Sequence, residues 1–268
     1  MEGNITFVIG RQRSGTTAFR DVLAVNGALD CNEIFHGDLN GQDTFYKWRF
    51  YNYVWMKIKE NGRYIHPESH RDLFLDYLNY VSNQNIDKNI VMDIKYFALN
   101  LIPSYEDIMN SRPFIFEAIA DKNYNIVHIV RRNKLRVLVS EVISYATGIW
   151  SVTDGSLAST KKSKVNIGPA YSLKFIQDQI DLDAKVSSMI KDFPGYSRID
   201  YEDMFSSSGE ISSSTIDIVC KCLKLDSIIP QTFQKKMNPE KLEMLIDNFR
   251  DIQKILKGTD YEWMIDAN

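Results

Sequence analysis

The amino-acid sequence predicts an α/β fold with a central, mainly parallel sheet flanked by helices on both faces, as a single domain over residues 1–268. Three stretches carry this expectation. The first, ITFVIGRQRSGTTAFRDVLAV from Ile5 to Val25, opens with a β-branched apolar run bounded by Gly10, then places Phe19, Val22 and Leu23 on one helical face. The second, NIVMDIKYF from Asn89 to Phe97, reads as another buried strand. The third, NIVHIVRRNKLRVLVSEVIS from Asn125 to Ser144, repeats the strand-then-helix pattern with Asn133 placed to cap the helix. Strand-then-helix units separated by more than a hundred residues leave room for the intervening strands of a parallel sheet.

At 268 residues and 44% hydrophobic content the chain can bury a sizeable core. No run approaches the roughly eighteen apolar residues of a membrane span, and the first strand begins within a few residues without a signal peptide's apolar core and cleavage site. A cytoplasmic protein without stable membrane insertion is expected. The net charge of −3 argues against a general nucleic-acid binder, whose affinity rests on a broad basic surface. Three cysteines, Cys31, Cys220 and Cys222, show no disulfide-framework spacing and read as reduced thiols. Cys220 and Cys222 fall about 200° apart on a helix, so they make no shared site.

The turn after the first strand has the composition of an anion cradle. Gly15 lets backbone approach a ligand closely, and Ser14, Thr16 and Thr17 add hydroxyls to the free N–H groups of a helix N-terminus. Gly10 and Gly15 match the glycines of the nucleotide-binding pattern G-x-x-x-x-G-K-[ST], but Thr16 stands where that pattern requires Lys. Arg13 and Arg11 offer guanidinium forks instead of one ammonium. Taken alone, the turn has a second reading, an ordinary glycine turn that caps a helix. In the run Arg13, Ser14, Gly15, Thr16, Thr17 the chain resembles the sulfotransferases that use 3′-phosphoadenosine 5′-phosphosulfate (PAPS). The resemblance implies a P-loop NTPase-like sulfotransferase fold, with Arg11, Arg13, Ser14, Gly15, Thr16 and Thr17 around the donor's 5′-phosphosulfate and no metal.

The stretch RRNKLRVLVS is the second point of likeness. Arg132, Arg136 and Ser140 follow at spacings of four, and the cations at a helix start oppose the helix dipole unless an anion joins them. In the family an Arg at a strand end and a Ser eight residues on bind the 3′-phosphate; Arg132 and Ser140 reproduce that spacing. The doubled Arg, Arg136 and the T-x-x-W at Thr147 and Trp150 are similar to the bacterial trehalose-type branch. That branch implies two further roles. Glu33, in the stretch ALDCNEIFHG read here as a loop, matches the proposed general base, and Lys95 matches a Lys near the transferred group. On its residues alone Glu33, beside Asp30 and His36, reads as a solvated loop carboxylate or a helix cap rather than as a base.

The rest of the chain reads mainly as scaffold. Residues 45–57 hold Phe45, Tyr46, Trp48, Phe50, Tyr51, Tyr53 and Trp55, either core, a subunit interface or an acceptor platform. His66 and His70 have a metal-ligand spacing but lack a third ligand. Leu73 to Val81 has helical periodicity, and residues 151–169 read as a mobile polar loop. Helices are expected over 171–190 and 240–256, with a strand from Tyr196 into Tyr201-Glu202-Asp203 and a weakly matching basic loop at Lys235 and Lys236. The implied reaction is sulfuryl transfer from PAPS to an acceptor hydroxyl on a carbohydrate or small metabolite. Two alternatives stand beside it: a P-loop kinase or NTPase using Asp93 and magnesium, and a nucleotide-binding module without catalysis. Oligomeric state is left open, a homodimer included.

Overall fold

The structure is a computed structural model that describes residues 4–36, 48–60, 62, 69–100, 113–153 and 164–267. In chain order its elements are β1 (Ile5–Gly10), α1 (Thr16–Val25), β2 (Leu29–Glu33), α2 (Phe50–Glu60), α3 (His70–Gln84), β3 (Ile90–Lys95), α4 (Phe114–Asp121), β4 (Asn125–Val130), α5 (Lys134–Thr147), α6 (Pro169–Ile190), β5 (Tyr196–Asp200), α7 (Ser213–Leu223), α8 (Leu242–Leu245) and α9 (Phe249–Leu256). Short 3-10 turns follow β3 at Tyr96–Asn100 and β5 at Tyr201–Asp203, and a third spans Glu262–Ile265.

The five strands are all parallel, in the order β2-β3-β1-β4-β5. β1 and β3 are buried along their whole length, as strands covered on both faces must be. Ile5, Phe7 and Ile9 face one layer with Phe74 of α3, Phe114 of α4 and Val186 of α6. Val8 faces the other, with Phe19, Val22 and Leu23 of α1 and Val219 and Leu223 of α7. Each such side chain contributes about 1.5–3 kcal/mol by leaving water. From β1 the chain runs outward to β2, returns to β3, then crosses β1 to β4. Direction therefore reverses about β1, and the carboxyl ends of β1, β3 and β4 lie side by side there, the place where such sheets hold ligands.

Three elements differ from the sequence expectation; the first is the strand from Tyr196, which ends at Asp200, with Tyr201–Asp203 a 3-10 turn. Leu29–Glu33 is an edge strand rather than a loop; Asn32 adopts a left-handed φ of 59° and breaks the alternation by which strands are recognised. The expected helix over 240–256 is interrupted because Ile246 is extended and bridges Val165, while Asn248 bonds both the N–H and the carbonyl of Ile167. Among the aromatics, Phe50 and Tyr53 are core, Trp48 packs against it and Trp55 is exposed; Phe45 and Tyr46 lie outside the described residues. His66 also lies outside them, as do residues 154–163 of the expected mobile loop. Among the described residues no helix is long and apolar enough to cross a membrane.

A polar network is buried between β4 and α6. Tyr96 Oη donates to Asp183 Oδ1 at 2.9 Å and lies 2.5 Å from His128 Nε2, while Lys134 Nζ donates to Asp183 Oδ2. With its proton given to Asp183, Tyr96 accepts from His128, which fixes the neutral Nε2–H tautomer. Burial first, then Arg198 and Lys134, holds His128 down to about 3. In the unfolded chain this imidazole takes up a proton below about pH 6.5. Stability should therefore be full above that pH and fall by up to about 1.4 kcal/mol per unit as pH drops toward 3. In denaturant titrations from pH 7 to 4, His128→Gln should flatten this slope; an unchanged slope would assign the acid loss to other groups.

Candidate functional site

The loop after β1 is shaped by two close approaches. A Cβ on Gly10 would lie 2.8 Å from the Ile129 carbonyl oxygen, and one on Gly15 would lie 2.4 Å from the Tyr201 ring. Gly15 also has φ of 92°. Between them the chain folds back, with Ser14 Oγ donating to the Arg11 carbonyl at 2.6 Å and Arg13 at φ of 66°. α1 then begins with Gly15 as its N-cap, with no side-chain cap and no acidic residue in its first turn. Among the described residues no side chain caps its N–H groups or answers the positive end of its dipole from the first turn, an arrangement that receives anions.

The sequence-expected cations around this loop divide into groups. Lys95, at the end of β3, donates from Nζ to Thr16 Oγ1 and to Asp93 Oδ2 at 2.8 Å, and stands 3.6 Å from Glu33 Oε1. Thr17 is half-buried on the same first turn. Arg13 donates from Nε to Ser140 Oγ at 2.9 Å and from Nη1 to the Trp150 carbonyl. Burial first, then the charge of Arg131, lowers Arg13 to about 10. Arg11 turns toward α5 and α6, pairing with Glu141 at 2.6 Å, bonding Gln179 and lying 4.7 Å over the Phe175 ring. Glu33, Lys95, Thr16, Arg13 and Ser140 thus surround the start of α1, with Arg11 at its flank.

Arg132 is placed elsewhere. Its guanidinium lies 2.9 Å from Asp203, 3.6 Å from Glu202 and 3.7 Å from Asp200, outside the loop cluster. The preceding residue, Arg131, faces the loop: Nη1 donates to the Arg13 carbonyl at 3.1 Å and the guanidinium lies 4.5 Å over the Tyr201 ring. Arg131 Nε is buried without a hydrogen-bond partner among the described residues. Arg136 ties down the C-terminal segment through the Ala267 and Glu240 carbonyls. The anion that the start of α5 requires is Glu202, whose carboxylate accepts from the N–H groups of Arg132 at 3.0 Å and Asn133 at 2.9 Å. The anion that the helix start calls for thus comes from within the chain.

A strap over residues 229–238 closes one side. Asp21 of α1 accepts from Thr232 Oγ1 at 2.6 Å and from the Phe233 N–H at 2.5 Å, and the Lys235 N–H bonds the Val152 carbonyl. This carries Lys236 toward Arg131 and Arg136. Partial desolvation, then Arg136 and Arg131, lowers the Lys236 ammonium. Arg131 repels Arg13, Arg136 and Lys236, and Arg136 repels Lys236, a positive charge that an anion would neutralise.

Asp93 meets cations through one oxygen: Oδ2 lies 2.8 Å from Lys95 and 3.1 Å from Arg20 Nε, while Oδ1 is buried with no hydrogen-bond partner among the described residues. Arg20 is a site residue absent from the sequence expectation, and Arg131 entered it only as half of the doubled Arg, with no role of its own. Arg20 had a legible signal, since it falls four residues after Thr16 on the buried face of α1. Among the described residues no group of three or more His, Cys, Asp and Glu side chains is arranged to hold a metal ion. Neither family models nor characterised proteins yield a match to this chain.

Proposed function

We propose that the protein is a PAPS-dependent sulfotransferase with a P-loop NTPase-like fold, acting on an acceptor hydroxyl. The observation that carries this reading is Lys95, whose ammonium comes from β3 to meet Thr16, the residue standing where a nucleotide-binding loop would have its own Lys. The same ammonium and Arg20 neutralise Asp93, the carboxylate a magnesium-dependent NTPase would need free. Both facts favour sulfuryl over phosphoryl transfer.

The donor would bring an activated sulfuryl group. The residues around the loop fit its anionic groups: the uncapped start of α1, Arg13 and Thr17 for the 5′ end, and Arg131 with its unpartnered Nε, Ser140 and Lys236 for the 3′-phosphate. Glu33, partly exposed at the end of β2, takes the proton of the acceptor hydroxyl on its carboxylate. As the acceptor oxygen bonds the sulfur, the bond from sulfur to the 5′-phosphate oxygen breaks and adenosine 3′,5′-bisphosphate leaves, with Lys95 stabilising the negative charge that develops on the departing phosphate.

Adenosine 3′,5′-bisphosphate without magnesium should raise the melting temperature, a ligand at 100 times its dissociation constant adding about 2.7 kcal/mol. Transfer of labelled sulfate from PAPS to a metabolite extract then tests reaction class and acceptor together. Strong stabilisation by ATP with magnesium, with none by the bisphosphate, would hand the site to the kinase reading.

A further inference from the structure

β2 carries a bulge, and the bulge decides where Glu33 points. Asp30 is in register with Val91 and Glu33 with Asp93, so β2 advances three residues (33 − 30) while β3 advances two (93 − 91). In an unbroken ladder Asn32 would lie opposite Asp93, and Glu33 would share the face of Ile94, which is fully buried in the apolar core. The additional residue moves Glu33 onto the face of Asp93 and Lys95 instead. The 3.6 Å approach of Glu33 to Lys95 follows from it.

One side chain holds both halves of this arrangement. Arg20 Nη1 donates to Asp30 Oδ1 at 2.5 Å and to Asn32 Oδ1 at 3.1 Å, the two residues that flank Cys31 in the bulge. Asp30 Oδ1 also accepts from the Asn32 N–H at 2.7 Å, closing the turn that gives Asn32 its left-handed backbone. On its other side Arg20 Nε lies 3.1 Å from Asp93 Oδ2, an electrostatic contact rather than a directed hydrogen bond, and the same oxygen receives Lys95 Nζ at 2.8 Å. Arg20 is 3% exposed, so solvent does not replace either contact if it is lost. Desolvation lowers the Arg20 pKa, but Asp93 and Asp30 outweigh it and keep the guanidinium charged.

We propose that Arg20 is the positioning residue of the Glu33–Lys95 pair: from α1 it clamps the β2 bulge and Asp93 together, and so sets the distance between the carboxylate and the ammonium. The claim that this matters for turnover rests on Glu33 acting as the base. The geometric claim does not. A Lys at position 20 keeps the charge but reaches one carboxylate at a time, because a point charge lacks the guanidinium fork.

Arg20→Lys and Arg20→Gln test both claims, with two readouts. The first uses no activity. Cys31 sits inside the bulge at 2% exposure, its thiol pushed far up by burial, and Cys222 is equally buried away from it. Labelling by a thiol reagent, mapped by peptide mass, should accelerate about tenfold or more at Cys31 in either variant and stay at the parental rate at Cys222. Protection of Cys31 equal to the parent, or opening of both cysteines together, would overturn the clamp. Should Arg20→Gln fail to fold, Arg20→Lys decides alone.

The second readout is a double-mutant cycle with Glu33→Gln. Arg20→Lys should lower turnover about ten- to a hundredfold, with bisphosphate affinity within about threefold of the parent. Added to Glu33→Gln, it should lower turnover no further, since both changes remove the same placed carboxylate. Losses that multiply, or parental turnover in Arg20→Lys, would show that Arg20 does not act through Glu33. Absence of sulfate transfer in the parent itself would sink the sulfotransferase reading, while the Cys31 labelling still decides the clamp.

Discussion

Glu33→Gln is expected to turn over at about a hundredth of the parental rate or less while binding adenosine 3′,5′-bisphosphate with parental affinity. An alcohol attacks poorly while it keeps its proton, and a placed carboxylate that accepts that proton contributes typically ~10²- to 10⁴-fold. The alternatives in the same stretch are already engaged or badly placed. Asp30 is bonded to Arg20 and to the Asn32 N–H, and His36 is exposed with its N–H on the Glu33 carbonyl. Glu33 alone among the three lies against Lys95, beside the uncapped start of α1. Gln keeps the size of the side chain and removes its basicity, so donor affinity and turnover should separate when measured on one preparation. Near-parental turnover in Glu33→Gln, with loss in His36→Ala or Asp30→Asn, would show that the base is elsewhere in this stretch.

Strands β1, β3, β4 and β5 and the loop glycines were legible because their signals are local. A β-branched run closed by Gly10, and a helical stripe starting at Thr16, are what β1 and α1 require, and the Asn133 side chain caps α5 at 2.9 Å from the Arg136 N–H as its position predicts. What the sequence could not display is which way a side chain turns at an irregular point. Arg131 and Arg132 are adjacent at the end of a strand, where neighbours face opposite sides, so the doubled Arg alone cannot say which of them faces the loop. Glu202 answers the charge at the start of α5 from about seventy residues away, through the end of β5 rather than through any local pattern. β2 was hidden for a related reason: the left-handed Asn32 disrupts its alternation, and it is that disruption which brings Glu33 to Lys95.

The choice between the two arginines has its own expected result. Arg131→Ala should weaken adenosine 3′,5′-bisphosphate binding about ten- to a hundredfold, the equivalent of one charge-assisted hydrogen bond at roughly 1.5–3 kcal/mol, and Arg132→Ala should change it by less than about threefold. Arg131 is buried against Tyr201 with Nε unpartnered, and burial has lowered its pKa, so an anion would supply the missing acceptor and relieve the cost of desolvation. Arg132 is half-exposed and surrounded by Asp200, Glu202 and Asp203, which satisfy its charge and would repel a phosphate brought to it. An analogue lacking the 3′-phosphate discriminates between a phosphate contact and a merely structural one: Arg131→Ala should weaken it far less than the bisphosphate. Equal weakening of both ligands would make Arg131 a support for the Arg13 carbonyl and Tyr201. A larger loss for Arg132→Ala would mean that Arg132 leaves its three carboxylates when the nucleotide arrives, and that the spacing from Arg132 to Ser140 describes the bound site better than the Arg131 geometry does.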